Sequence, residues 1–175
     1  MSKNTRQIMI LRHAKAETEA VSGDYARALT SAGKQHARQL GQHIHDLRLI
    51  PQSIYCSGAR RALETADIVC EQLFIATGQV TVREQLYLAD TPVLLNLLQA
   101  LNQRISRVML VGHNPALEDL VDWLSKDGFE SEQHSGKRLL PASLVVLEYN
   151  GDWSALGSKS CRISQIIHGK HLKPA

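Results

Sequence analysis

Three short stretches carry side chains that could do chemistry together: "LRHA" at 11–14, "CSGARR" at 56–61 and "VGHNP" at 111–115. The first sets Arg12 and His13 directly behind the apolar run from Ile8 to Leu11. The second sets Arg60 and Arg61 behind Ser57, and the third sets His113 and Asn114 ahead of Pro115. A guanidinium is planar, stays charged at any relevant pH and matches the oxygens of a phosphate. A neutral histidine is a competent nucleophile toward phosphorus, and a second can donate a hydrogen bond or a proton. Phosphoryl transfer depends mainly on positioning and charge stabilisation, which this set supplies without a metal. Arginines beside His13 should also lower its pKa by repelling the imidazolium, which keeps the attacking nitrogen free. No carboxylate cluster suited to magnesium accompanies these stretches, so neither a metal nor a cofactor is expected.

Each residue alone has a plainer reading. Arg12-His13 reads as a solvated strand end, Arg61 as a helix-surface charge, and Arg27 as a loop arginine paired with Asp24. His36, His43 and His45 share one helix, yet 43 and 45 lie on different faces, which favours surface placement over metal binding. His134, His168 and His171 fall in loop or tail. The chemical reading holds only if the fold gathers residues 12, 13, 61 and 113.

The elements predict that it does. "QIMIL" (7–11) is the first strand. Leu40, Ile44 and Leu47 recur at helical spacing within an amphipathic helix over 30–49. "QSIYC" (52–56) is a second strand, and Ala62, Ala66, Val69 and Leu73 mark the next helix. "QVTV" (79–82) is a weaker strand, and 92–101 is a leucine-rich helix with Pro92 in its first turn. "RVMLVG" (107–112) is a core strand, followed by a helix with Leu117, Leu120, Val121 and Leu124 on one side. "SLVVLEY" (143–149) and "SCRISQII" (160–167) flank Asn150-Gly151, a hairpin signal. Residues 125–140 read as an exposed, mobile loop. The expected fold is therefore an α/β three-layer sandwich. Its central sheet is mainly parallel, with helices on both faces and an antiparallel C-terminal strand or hairpin. In such a sheet the strand exits share one edge, where ligand sites form. Helix N-termini there favour an anion, with Ser57 and Asn114 as expected N-caps.

Bulk properties narrow the function classes. The chain has 175 residues, 43% of them hydrophobic, and a net charge of +3. That length fits one domain over 1–175, with its core at about 7–167. The basic residues form no cluster or stripe, so nucleic-acid binding is not expected. No apolar run approaches the ~18 residues of a membrane span, and the N-terminal run is too short for a signal peptide. Cys56, Cys70 and Cys161 are odd in number and widely spaced, which suits free thiols in a reducing cytoplasm.

The motifs also carry a resemblance. "LRHAK" resembles the RHG-type motif of the histidine phosphatase superfamily, which has the phosphoglycerate mutase-like fold. "VGHNP" is similar to that superfamily's second histidine motif, and "SGARRALETA" (57–66) to its intervening S-P-x-x-R-A-x-x-T-A pattern. "DYARALTSAG" (24–33) resembles the D-x-x-R-P-L-T-x-x-G stretch of the SixA-type phosphohistidine phosphatase branch. The likeness runs from residue 8 to roughly 150. It implies that His13 attacks phosphorus and becomes a transient phosphohistidine. It also implies that Arg12, Arg61 and His113 bind the phosphoryl oxygens, with Arg60 facing solvent. Arg27 and Asn114 are further candidate substrate contacts.

Three departures stand out. Ala14 replaces the glycine of RHG, so the turn there must avoid glycine-only conformations. Gly58 stands where proline is usual. Leu86-Tyr87-Leu88 occupies the place of a catalytic "L-x-E", leaving Glu84 and Asp90 as the nearest carboxylates. An alkoxide leaves poorly without a proton donor, whereas the P–N bond of a phosphohistidine is weaker. The reading is thus a metal-independent hydrolase of phosphohistidine on a phosphorelay or phosphotransfer protein. The alternatives are a phosphomonoesterase of small phosphorylated substrates and a non-catalytic phosphate- or phosphoprotein-binding module.

Overall fold

The computed structural model describes residues 5–129 and 138–173. Six strands form one sheet: β1 (Thr5–Arg12), β2 (Ser53–Cys56), β3 (Val80–Val82), β4 (Arg107–Gly112), β5 (Ser143–Asn150) and β6 (Cys161–His168), in the order β3-β2-β4-β1-β5-β6. The β1–β4, β4–β2 and β2–β3 pairings are parallel, and β5 adds antiparallel to β1, as β6 does to β5. This is the expected mixed α/β sheet, parallel on one side and antiparallel at the C-terminal side.

The apolar runs sort themselves by parity, because successive strand side chains point to opposite faces. Ile8, Ile10, Val108, Leu110, Val145 and Leu147 pack against α3 (Thr91–Gln99) and α4 (Ala116–Leu124). Met9, Leu11, Met109, Val111, Leu144 and Val146 pack against α1 (Ser31–Asp46) and α2 (Arg60–Gln72). Ile8 through Leu11 are fully buried, each worth about 1.5–3 kcal/mol of apolar burial. Continuous burial on both faces is what fixes β1 at the centre of the sheet and sends its polar end out of the carboxyl edge.

Several local expectations are corrected. Leu47 lies beyond the end of α1 and is 41% exposed, so only Leu40 and Ile44 of that stripe reach the core. Ser57 does not cap α2: Ala59 holds that position without a side-chain bond. Asn114 does not cap α4 either, since Pro115 occupies the cap and the amide of Asn114 faces elsewhere. Asn150-Gly151 makes no tight hairpin. Ten residues, including a 3-10 turn over Trp153–Ala155, separate β5 from β6, because Trp153 is buried among Leu156 and Tyr149 and draws the connection inward. His168 lies within β6 rather than in a tail, its Nδ1 2.6 Å from Ser143 Oγ.

The segment 125–140 is not a wholly exposed loop. Ser125, Phe129, Leu139 and Leu140 are buried, because Phe129 and Leu139 join the core beside α4; residues 130–137 lie outside the described residues. Thr30 caps α1 by accepting from Gly33 N at 3.0 Å. A Cβ at Gly33 would overlap the Lys15 carbonyl, while Lys15 O accepts from Thr30 N at 2.9 Å. That pair of constraints folds the 15–30 loop back over the strand exits.

Candidate active site

β1, β2 and β4 run parallel in register, with Arg12 beside Gly112 and Cys56 beside Val111. Their next residues, His13, Ser57 and His113, therefore emerge side by side. The rings of His13 and His113 lie 5.0 Å apart, centroid to centroid. Arg61, in the first turn of α2, is 5% exposed and reaches His13, its Nε donating to His13 Nε2 at 3.3 Å. Residues scattered over the chain thus meet at one crevice.

His13 is held in a defined state. Its Nδ1 lies 2.7 Å from the Ala14 carbonyl. A carbonyl only accepts, so Nδ1 carries the ring proton and Nε2 keeps its lone pair. Burial first, then the neighbouring His113 and the charges of Arg61 and Arg12, push its pKa down to about 3 against the support of the Ala14 bond. The arginines contribute as the sequence predicts, but desolvation is the larger cause. Ala14 keeps an ordinary backbone conformation; its N–H donates to Thr65 Oγ1 at 3.0 Å, and Thr65 donates to Arg61 O at 2.6 Å. The threonine of the 57–66 motif therefore ties the nucleophile's turn to the arginine's helix.

His113 is pushed down to about 4, chiefly by burial and next by Arg61. Its Nε2 lies 2.8 Å from Ser57 Oγ, which itself accepts from Ala59 N at 3.3 Å. Ser57 is thus the partner of the second histidine rather than a helix cap. Arg12 Nη1 donates to Leu139 O at 2.8 Å. Arg12 Nε and His113 Nδ1 are buried and have no partner among the described residues. Unpaired buried polar atoms are rare in native structures and call for an explanation such as a catalytic role or a bound ion.

Other candidates are placed less directly. Arg27 commits its fork to Asp24 Oδ1, at 2.7 and 2.6 Å, and to Glu17 O at 2.8 Å. Asn114 donates to Glu118 Oε1 at 2.7 Å and Leu139 O at 3.0 Å. Arg60 pairs with Glu64 at 2.7 Å with 58% of its side chain exposed, as expected of a solvent-facing neighbour. Glu64 also accepts from Leu29 N at 2.8 Å. Asp90 caps α3 by accepting from Val93 N at 3.0 Å. Glu84 accepts from the Tyr25 hydroxyl, and both sit against Gly58, where a Cβ would overlap them. Glycine at that departure makes room for this pair.

Two residues that sequence reading passed over belong to the site. Asp24 Oδ2 accepts from Arg61 Nη2 at 3.1 Å and from the Tyr87 hydroxyl at 2.6 Å. These bonds, Tyr87's first, hold the Asp24 carboxyl well below the usual range. The Tyr87 ring lies 5.6 Å from His113, and Arg61 Cζ lies 5.8 Å from it. The only sequence signals were Asp24 at the head of the D-x-x-R stretch and Tyr87 at the variable middle position of the L-x-E pattern, where Leu88 replaces the glutamate.

An edge that gathers two histidines and two arginines, on a sheet of this order, resembles that of the histidine phosphatases. The family comparison agrees: residues 8–87 match the histidine phosphatase superfamily (branch 1). The chain is similar over 94% of its length to a structure assigned as the phosphohistidine phosphatase SixA of Nakamurella multipartitia. That likeness covers 96% of the other chain, with 26% identity and a TM-score of 0.78. It shares the fold of the protein histidine phosphatase SixA solved with tungstate, at 21% identity and a TM-score of 0.79 over 95% of this chain and 99% of that one. A curated relative, the mitochondrial serine/threonine-protein phosphatase Pgam5 of Drosophila grimshawi, is 32% identical over 71 residues, 41% of this chain. The matched stretch is 24% of that relative's length. The resemblance carried by the motifs is borne out, and these likenesses support a phosphatase.

Proposed function

We propose that the chain is a metal-independent phosphatase that hydrolyses phosphohistidine on a phosphorelay or phosphotransfer protein. The carrying observation is the state of His13: a neutral ring, fixed through Nδ1, with its Nε2 lone pair beside Arg61. In this reading Nε2 attacks phosphorus as the bond from phosphorus to the substrate's imidazole nitrogen breaks, and the departing imidazole takes up a proton. Arg12, Arg61 and His113 stabilise the charge on the equatorial oxygens. Water then attacks the phosphoryl group on His13, releasing inorganic phosphate and restoring Nε2. Arg27 acts through Asp24 on Arg61, and Asn114 through the Leu139 carbonyl that Arg12 also meets. Three buried free cysteines among the described residues suit a reducing, cytoplasmic setting. Among the described residues no helix is long and apolar enough to cross a membrane.

A small-molecule phosphomonoesterase is the second reading, favoured by Glu84, whose carboxylate lies against Gly58 next to Ser57. Parallel turnover of a phosphohistidine protein and of an aryl phosphate separates the two. The first reading expects preference for phosphohistidine, and equal or better ester turnover overturns it. His13→Ala should remove nearly all hydrolysis. Base-stabilised detection of the labelled enzyme during turnover should find phosphate on His13 alone; a label on another residue overturns the mechanism.

A further inference from the structure

Arg12 is set by an element that belongs to none of the three motifs. The peptide joining Arg138 and Leu139 lies against the Arg12 guanidinium, and both of its residues' amides share one carboxylate oxygen on α4. Glu118 Oε1 accepts from Arg138 N at 3.0 Å, from Leu139 N at 2.8 Å and from Asn114 Nδ2 at 2.7 Å. The carbonyl of the same Leu139 accepts from Arg12 Nη1 at 2.8 Å and from Asn114 Nδ2 at 3.0 Å. One turn further along α4, Asp122 pairs with the Arg138 guanidinium at 3.1 Å, and the Leu139 side chain is fully buried. Backbone and side chains therefore hold this strap from both sides. Hydrogen bonds to a charged acceptor are roughly twice as strong as neutral ones, so Oε1 is the anchor. The charge of Glu118 also supports the Arg12 guanidinium against the lowering caused by its burial.

We propose that Glu118 is a positioning residue for phosphoryl binding. Through Asn114 and the 138–139 strap it aims the Arg12 guanidinium at the oxyanion held by His13 and Arg61. The proposal rests on Arg12 being a phosphoryl ligand. Without Glu118, two backbone donors and one amide lose their acceptor, the strap moves, and Arg12 follows its carbonyl partner. A misplacement of about 1 Å in such a group costs on the order of a hundredfold in rate. Asn114 is then part of the relay rather than a substrate contact.

The test uses the whole chain and tungstate as the probe, with binding measured by calorimetry and folding checked by thermal melting. Glu118→Ala should weaken tungstate binding roughly tenfold to a hundredfold, the loss of one hydrogen bond between charged groups, while Glu118→Gln, which keeps an acceptor oxygen, should stay within about threefold of the parent chain. In a double-mutant cycle, adding Glu118→Ala to Arg12→Ala should cost no further affinity, because the two act through one guanidinium. Additive losses, or a Gln variant as weak as the Ala variant, overturn the proposal. If Glu118→Ala does not fold, Glu118→Asp withdraws the acceptor by one methylene and enters the same cycle with the same outcomes. If Arg12→Ala itself leaves tungstate binding unchanged, the role of Arg12 falls and the proposal with it. If Arg12→Ala weakens binding and Glu118→Ala does not, the proposal alone falls.

Discussion

Arg6 and Arg12 stand at opposite ends of β1, on the same face of the strand and in the same sheet, yet their surroundings are chemical opposites. Arg6, 7% exposed, donates Nε to Gly151 O at 2.6 Å, Nη1 to the carbonyls of Gln103 and Ile105 at 2.9 Å each, and Nη2 to Gln103 Oε1 at 2.9 Å. Its Nη2 also pairs with Asp152 at 3.4 Å, and its Cζ lies 5.2 Å from the Trp153 ring. Among the described residues Arg12 has one protein acceptor, Leu139 O, and a buried Nε with no partner. At the amino edge of the sheet a guanidinium is saturated by loops and becomes a structural rivet. At the carboxyl edge, among the described residues, a guanidinium is held by one bond and leaves donor capacity for something else. Buried charge by itself marks neither role; incomplete pairing beside two neutral imidazoles does.

Substitution of each arginine should break the comparison most sharply. Arg12→Ala should lower kcat/KM for phosphohistidine by about 10²–10³, the loss typical of one oxyanion donor, with little change in urea midpoint. Arg6→Ala should do the reverse, costing about 2–4 kcal/mol of stability as several buried acceptors lose their donor, while kcat/KM stays near the parent value. A large loss of stability in both, or of activity in both, would erase the distinction between the two edges.

The pH response sharpens the same contrast. His13 and His113 have folded pKa values near 3 and 4, below the ordinary 6.5. The unfolded chain therefore binds more protons than the folded one as pH falls below 6.5. The stability carried by these neutral rings is complete above about 6.5 and declines as pH drops toward 4 and 3. Each ring contributes a slope of at most about 1.4 kcal/mol per pH unit. Urea titrations from pH 7 to 5 should show the decline, and ring nitrogen spectra at pH 5.5 should find both imidazoles neutral. Protonated rings at that pH would contradict the electrostatic account of the crevice.

Smaller effects follow further from the reacting atoms. Ser57→Ala removes the hydroxyl that meets His113 Nε2 and Ala59 N. It should cost about 1 kcal/mol of stability and less than tenfold in kcat/KM. Gly58→Ala should cost least, under about 1 kcal/mol, because the groups it meets are the ends of the Tyr25 and Glu84 side chains, which can swing away. Its visible consequence should be a more acidic Tyr25, since its bond to Glu84 holds that hydroxyl up at about 12; an unchanged titration would mean the pair survives the added methyl.

Sequence alone carried the alternation of buried strands with amphipathic helices and the gathering of His13, Arg61 and His113, because apolar periodicity and parallel strand exits are local rules. It misjudged what lay at element ends. Ser57 and Asn114 have good capping side chains, but a hydroxyl or an amide can bond only where its partners are, and here those are His113, Glu118 and Leu139. The segment 125–140 looked polar along the chain, yet Phe129 and Leu139 anchor its ends in the core. Trp153 did the same to the expected tight turn after Asn150.

What the amino-acid order determined by itself was the inventory: which side chains could act on phosphorus, and which apolar runs would bury and so deliver them to one edge of a sheet. The tertiary structure alone decided their states. Whether an arginine is saturated or poised, whether a histidine is neutral and by which nitrogen it is held, and that Asp24, Tyr87 and Glu118 surround the pair depend on contacts between segments tens of residues apart. Hydrogen bonding and desolvation act through space, and distance along the chain does not encode them.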